Sequence, residues 1–286
     1  MLRSFLFVPG DSEKKIAKGW GVGADALIFD LEDAVTEARR PAAHAMVLEA
    51  LARPRGEGES ERWVRVNPLD TDAALEDLAA ILRGGPEGII VPKIRAAADL
   101  IELDHVLTAL EVREGLPRGI TRFMPVATET PQIMFDLGNL ASVGDRLAGV
   151  TWGGEDLSAA MGATRSRVPG GWAFPYQVAR TFCLFAAHAA EVQAIDTLYA
   201  DFTDDDGLRE TAQGARMDGF SGMIAIHPRQ IPIINDAFTP SAEETEFARR
   251  VIEAFEQASG AGAVSLDGKM LDMPHLKLAR RVLGQA

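Results

Sequence analysis

The sequence predicts a (β/α)8 barrel, the TIM-barrel fold class of α/β proteins, with a C-terminal helical extension. Three observations carry the expectation: apolar runs recur eight times, amphipathic stretches separate them, and residues remain after the eighth unit. The runs are Leu2 to Val8, Ala26 to Phe29, Trp63 to Val66, Ile89 to Val91, Arg122 to Val126, Ala148 to Thr151, Gln193 to Ile195 and Gly222 to Ile226. Nearly uninterrupted apolar strands suit a sheet covered on both faces, and parallel strands need crossovers to connect them. Leu75, Leu78, Ala79 and Leu82 recur at helical spacing, as do Leu100, Leu103, Leu107 and Leu110, each set forming one apolar face. Eight such units point to the barrel, while a doubly wound open sheet is the alternative that the pattern leaves open.

After the eighth run, Ser241-Ala-Glu-Glu244 forms a capping box that opens a helix carrying Phe247, Val251, Ile252 and Phe255. The barrel is therefore assigned to residues 1–255, and 256–286 to an extension that contains the Gly260-Ala-Gly262 break. No repeat of 20 to 50 residues stands out beyond the strand-helix alternation.

Lys and Arg total 29 against 42 Asp and Glu, a net charge of −13 that disfavours nucleic acid or an anionic membrane as partner. The single cysteine, Cys183, excludes an internal disulfide framework and a Cys-based zinc cluster, and fits a reducing compartment. No apolar run reaches the roughly 18 residues of a membrane span, and the start has no signal-peptide plan. The expectation is a soluble, cytoplasmic protein.

Ligands of parallel α/β folds bind beyond the carboxyl ends of the strands. Standing there are Asp11, the Asp30-Leu-Glu32-Asp33 run, Arg65 and Asn67, Lys93, Glu129, Gly153-Gly-Glu-Asp156, Asp196 and His227. Each has a plainer explanation taken singly: Asp156 as a first-turn helix charge, Lys93 as half of a structural ion pair, and His227 as the residue before a helix-opening proline. Jointly they say more. Glu129 and Asp156 end consecutive strands, which lie about 5 Å apart in a sheet, so their charges repel unless a cation or a shared proton relieves them. The five histidines are scattered, so oxygen-only ligation of Mg2+ is the better reading. Gly153 and Gly154 leave main-chain N–H groups at that helix start open to a substrate carboxylate.

Other features have structural readings. The aromatic segment Gly170 to Tyr176 either lines a pocket or packs under a loop. Cys183 and His188 are taken as structural, and Asp201 to Asp206 as a solvated turn with a helix N-cap, since the EF-hand ligand spacing is absent.

The motifs Leu6-Phe-Val-Pro-Gly10, Asp30-Leu-Glu-Asp-Ala-Val35, Val64-Arg-Val-Asn67, Val91-Pro-Lys93, Glu129-Thr130, Trp152-Gly-Gly-Glu-Asp-Leu157, Gly219-Phe-Ser-Gly222, Ile226-His-Pro228 and Asp267-Gly-Lys-Met-Leu-Asp272 follow one another along nearly the whole chain. In that order they resemble the citrate lyase β-subunit-like group of the HpcH/HpaI aldolase superfamily. The resemblance implies a trimeric or hexameric TIM barrel that makes or breaks the carbon-carbon bond of 3-hydroxyacyl-CoA thioesters such as malyl-, citramalyl- or citryl-CoA, yielding an acyl-CoA and a 2-oxo acid. By the same resemblance, Glu129 and Asp156 are the Mg2+ ligands, and Arg65 stabilises the enolate. Glu32 and Asp33 support the metal's waters, Phe7 and Lys15 contact coenzyme A, and Asp272 reaches the site of a neighbouring subunit. Gly154 and Glu155 join Asp156 in receiving the substrate acid.

One departure from the family pattern is Pro131-Gln132-Ile133-Met134 after Glu129-Thr130, where small residues and a glycine are usual; it bears on substrate preference and leaves the carboxylate in place. Rival readings are a hydroxyacyl-CoA thioesterase, a CoA-independent 2-oxo acid aldolase, a citrate lyase complex subunit acting on an acyl-carrier protein, and a barrel that binds without reacting.

Overall fold

The structure, a computed structural model, describes residues 1–54, 56, 58–258 and 262–284. Eight parallel strands form its sheet: β1 (Ser4–Pro9), β2 (Ala26–Asp30), β3 (Glu61–Arg65), β4 (Gly88–Val91), β5 (Arg122–Pro125), β6 (Gly149–Thr151), β9 (Gln193–Asp196) and β10 (Gly222–Ala225). Two further strands, β7 (Arg167–Val168) and β8 (Gly171–Trp172), make a short antiparallel hairpin outside the sheet. The sheet order is β5-β4-β3-β2-β1-β10-β9-β6, and parallel bridges at Phe123–Leu147 and Val126–Thr151 join β5 to β6. The strands thus come round to an almost closed barrel, which decides against the open sheet.

Strand periodicity fills the barrel. On β2 the alternate residues Ala26 and Ile28 join Phe5, Trp63, Ile90, Met124, Ile195 and Ile224 in one buried cluster. The opposite strand faces pack outward against the helices, with Leu27, Phe29, Val64, Ile89 and Val91 in the larger cluster. Trp63 fills the interior so tightly that a Cβ on Gly88, its neighbour across the β3–β4 register, would lie 2.3 Å from its ring. Continuing the inward alternation past Ile28 and Trp63 brings Asp30 and Arg65 to the carboxyl-end mouth, and these two are register partners.

The helices around the barrel are α1 (Glu13–Gly19), α2 (Arg40–Ala52), α3 (Asp72–Ile81), α4 (Ala97–Glu114), α5 (Gly154–Ala160), α6 (Phe174–Ala189), α7 (Asp205–Asp218) and α8 (Gln230–Ala237). After β5 the chain makes only 3-10 turns, at Ile133–Phe135 and Leu137–Ser142, where Pro131 and Gly138 disfavour a longer helix. The Asp201–Asp206 run is the expected turn: Asp204 caps α7 by accepting the Gly207 N–H at 2.9 Å.

The chain divides into two compact units, Met1–Phe238 and Thr239–Ala286. The division falls before helix α9 (Ala242–Gln257), whereas the boundary expected from the sequence, after Phe255, falls in the last turn of that helix. The capping box is present, with Ser241 and Glu244 exchanging hydrogen bonds of 2.7 and 3.1 Å. Within the second unit α9 buries Ala248, Val251 and Phe255 against Leu271 of the hairpin β11 (Ala263–Leu266) and β12 (Lys269–Asp272), and against Leu276 and Ala279 of α10 (Met273–Val282). Part of the expected break, residues 260–261, lies outside the described residues. No helix among the described residues is long and apolar enough to cross a membrane.

Candidate active site

The charged residues at the barrel mouth are organised by Arg65. Its guanidinium grips Asp30 with a fork of two hydrogen bonds, Nε to Oδ1 at 2.8 Å and Nη2 to Oδ2 at 2.7 Å. Nη1 lies 2.9 Å from Glu32 Oε2 and 3.6 Å from Asp33 Oδ2, and the guanidinium sits over the Phe7 ring at 4.6 Å. Burial opposes the Arg65 charge, but the three carboxylates outweigh it and hold the guanidinium firmly protonated. Asp30, almost fully buried, also accepts the N–H groups of Glu32 at 3.0 Å and Ala34 at 3.2 Å, so one carboxylate fixes both the arginine and the loop bearing the acidic pair.

Beyond β4, Lys93 adopts a left-handed backbone, φ +53°, a conformation that costs a non-glycine residue about 1 kcal/mol or more. Its N–H donates to Glu129 Oε2 at 2.7 Å. Its ammonium is hydrogen-bonded to Glu32 Oε1 and stands 3.5 Å from Asp33 Oδ1 and 3.6 Å from Asp156 Oδ1.

Glu129 is 5% exposed. Burial first, and the neighbouring Asp156 charge second, push its carboxyl up to about 8, against the opposing Lys93 N–H. The loops bearing the two acids are stitched together: Gly153 N–H donates to Thr128 Oγ1 at 3.1 Å, and Thr128 Oγ1 donates to Gly153 O at 3.2 Å. A Cβ on Gly153 would lie 3.0 Å from Glu129 Cγ, so glycine lets these loops approach.

Asp156 stands in the first turn of α5, as the sequence reading expected of its plainer role, and its side chain reaches the acidic group as well. Glycine at 154 has a packing reason: Trp172 of the β7–β8 hairpin would lie 2.3 Å from an added Cβ. Trp172 packs edge-on to Trp152 at 5.0 Å and against Tyr176 at 5.8 Å, so these two rings of the aromatic segment are packing, whereas Phe174 between them is exposed. The Glu155 side chain accepts from Ser166 Oγ at 3.0 Å in the same loop. Behind these residues, Asp196 accepts from Trp152 Nε1 at 2.5 Å and from Arg180 Nη2 at 2.8 Å, pinning the start of the Gly153 loop.

His227 stacks on Phe202 at 5.0 Å, and its Nδ1 accepts the Arg229 N–H at 3.2 Å, a structural turn. His188 contacts Gly219 O at 3.1 Å, and Cys183 is fully buried with its thiol pushed far up by burial. Lys15 is exposed on α1. In the second unit Asp272 is the N-cap residue of α10, its Oδ1 2.5 Å from His275 Nδ1.

A divalent metal fits these residues in kind. Two crowded carboxylates with no histidine or thiolate partner are hard oxygen donors, and a cation relieves the repulsion that raises Glu129. Glu32 Oε2 is buried and meets Arg65 Nη1 at 2.9 Å as an ion pair. Among the described residues no three His, Cys, Asp or Glu groups converge as an all-protein cage. Mg2+ ordinarily takes one or two carboxylates and keeps several waters.

Fold and site together define a barrel enzyme whose carboxyl-end mouth gathers acids around one arginine and one lysine. The HpcH/HpaI aldolase/citrate lyase family matches residues 3–228, and the chain belongs to this family of carbon-carbon lyases. It is 37% identical over 286 residues to citrate lyase subunit beta of Haemophilus influenzae, covering 99% of this chain and 96% of that protein. It is 36% identical over 286 residues to (3S)-malyl-CoA thioesterase of Cereibacter sphaeroides, covering 99% and 94%. The crystal structure of CitE from Mycobacterium tuberculosis in complex with magnesium, acetoacetate and coenzyme A matches with a TM-score of 0.79 at 33% identity, covering 99% of this chain and 97% of that one.

The sequence marks no role for Asp30, and for Lys93 only that of half a structural ion pair, which its contacts with Glu32, Asp33 and Asp156 bear out and extend. For Asp30 the signal was available, since strand alternation from Ala26 and Ile28 aims it inward.

Proposed function

We propose that the protein is a Mg2+-dependent carbon-carbon lyase, acting on a short 3-hydroxyacyl-CoA thioester of the malyl-, citramalyl- or citryl-CoA class and releasing an acyl-CoA and a 2-oxo acid. The observation that carries this reading is the gathering of Arg65, Glu32, Asp33, Glu129 and Asp156 at one mouth of the barrel. The ligands named for the Mycobacterium tuberculosis protein, magnesium, acetoacetate and coenzyme A, are of the matching chemical kinds.

Magnesium, when bound by Glu129 and Asp156, supplies Lewis-acid polarisation of the oxygen on the carbon to be cleaved. Main-chain N–H groups of Gly154, Glu155 and Asp156 receive the carboxylate of the acid half. Arg65, oriented by Asp30, stabilises the negative charge that grows on the thioester oxygen. Glu32 and Asp33 orient the waters of the site. In cleavage, the bond between the hydroxyl-bearing carbon and the thioester α-carbon breaks, the hydroxyl passes its proton to a water oriented by Glu32 and Asp33 as the carbonyl forms, and the electron pair passes to the thioester as an enolate. Protonated Asp272, from the C-terminal unit of a neighbouring subunit in a homotrimer or hexamer, then delivers a proton to the α-carbon. Condensation runs the same steps backwards. Phe7 and Lys15 face coenzyme A, with the Lys15 charge offsetting the acidic balance of the chain for an anionic substrate.

Hydrolysis of the thioester is the second reading, favoured by the similarity to the malyl-CoA thioesterase. Glu129→Gln and Asp156→Asn test the metal-centred reading through turnover of malyl-, citramalyl- and citryl-CoA with Mg2+ and with EDTA. Each should lose about 10²-fold or more, as groups serving transition-state charge do. Full turnover in EDTA would overturn the reading.

A further inference from the structure

We infer that Lys93 is a positioning residue that holds the two halves of the acidic site together and moderates their attraction for a divalent cation. The inference rests on the metal reading of Glu129 and Asp156. Lys93 joins carboxylates that follow three different strands: its N–H holds Glu129 beyond β5, and its ammonium meets Glu32 and Asp33 beyond β2 and Asp156 beyond β6. The left-handed backbone at φ +53° accompanies this double use, with the main chain serving one acid and the side chain serving the others.

The lysine side chain remains 30% exposed, beside the nearly buried Glu32. A cation drawn to Glu129 and Asp156 meets the lysine ammonium 3.6 Å from one of its ligands. Lys93 thus orders the acids while restraining their pull on the metal.

The test is Mn2+ binding to the full chain without substrate, followed by electron paramagnetic resonance, for wild type, Lys93→Met, Lys93→Arg and Glu129→Gln. Loss of one charge at this range should tighten Mn2+ binding about tenfold in Lys93→Met, whereas Lys93→Arg should stay within about threefold of wild type. A packing role alone would give no tightening. Unchanged or weaker binding in folded Lys93→Met would overturn the inference. If circular dichroism shows that Lys93→Met does not fold, Lys93→Arg decides: retained affinity supports the electrostatic role, and a tenfold change overturns it. Glu129→Gln separates the two readings. If it binds Mn2+ as wild type does, the metal reading fails and this inference with it. If it loses Mn2+ while Lys93→Met binds as wild type, only the Lys93 inference fails.

Discussion

Arg65 and Asp30 are register partners on adjacent strands, joined by two parallel hydrogen bonds of 2.8 and 2.7 Å, with their side chains 13% and 4% exposed. Breaking this buried pair removes the forked contact and leaves the guanidinium only Glu32 and Asp33 as its carboxylates. Asp30→Asn should therefore lower stability by about 3 kcal/mol, read by urea unfolding. It should also reduce turnover, since Asp30 aims Arg65 and fixes the Glu32 loop. Wild-type stability would show that the pair contributes nothing.

Arg65→Lys tests the fork itself. Lysine keeps the charge but presents one nitrogen where the guanidinium contacts Asp30, Glu32 and Asp33 together. Turnover should fall by about 10²-fold with the fold retained, as for loss of a group that stabilises an oxyanion. Wild-type turnover would remove Arg65 from the enolate role.

Acid sensitivity has a separate source, at Glu111 on α4. Burial would raise this carboxyl, but Arg146, bonded to both its oxygens at 2.7 and 2.8 Å, and the N–H groups of Thr121 and Gly119 outweigh it and hold the pKa at about 2. Because the folded value is depressed, the stabilisation is fully present above the ordinary value of 4.5 and is lost as pH falls toward 2. Glu111→Gln should cost about 2 kcal/mol at pH 7, allowing for solvent screening, and flatten the acid limb of a melting-temperature profile. An unchanged acid limb would place the sensitivity elsewhere.

The eight strands were legible because strands buried on both sides become short apolar runs, with little else in the chain resembling them. Helix α8 was legible only as a helix that Pro228 could open, since it has eight residues and Pro232 within it, and the next strong helix signal, the Ser241 capping box, was taken to close the barrel. Local sequence marks where α9 starts but not that Phe255 buries against Leu271 and Leu276. At the site, Glu32, Asp33, Arg65, Glu129 and Asp156 were found as charges at strand ends, where plain position carries the information. The importance of Asp30 and Lys93 lies in their partners across strands, and for Lys93 in a left-handed backbone that a lysine does not announce.

Asp272 has two roles to separate, helix cap and proton donor. Asp272→Asn keeps a capping side chain and should leave the melting temperature near wild type, while turnover falls by about 10²-fold or more through loss of acid-base chemistry. Wild-type turnover would leave Asp272 as a cap alone.

The central claim is carbon-carbon cleavage, and product identity tests it most directly. Malyl-, citramalyl- and citryl-CoA are each incubated with the protein and Mg2+, and the products are weighed by mass spectrometry. At least one should yield a shorter acyl-CoA and a 2-oxo acid in equal amounts, with the reaction stopped by EDTA. Free coenzyme A and an intact hydroxy acid as the first products, or no consumption of any of the thioesters, would contradict it.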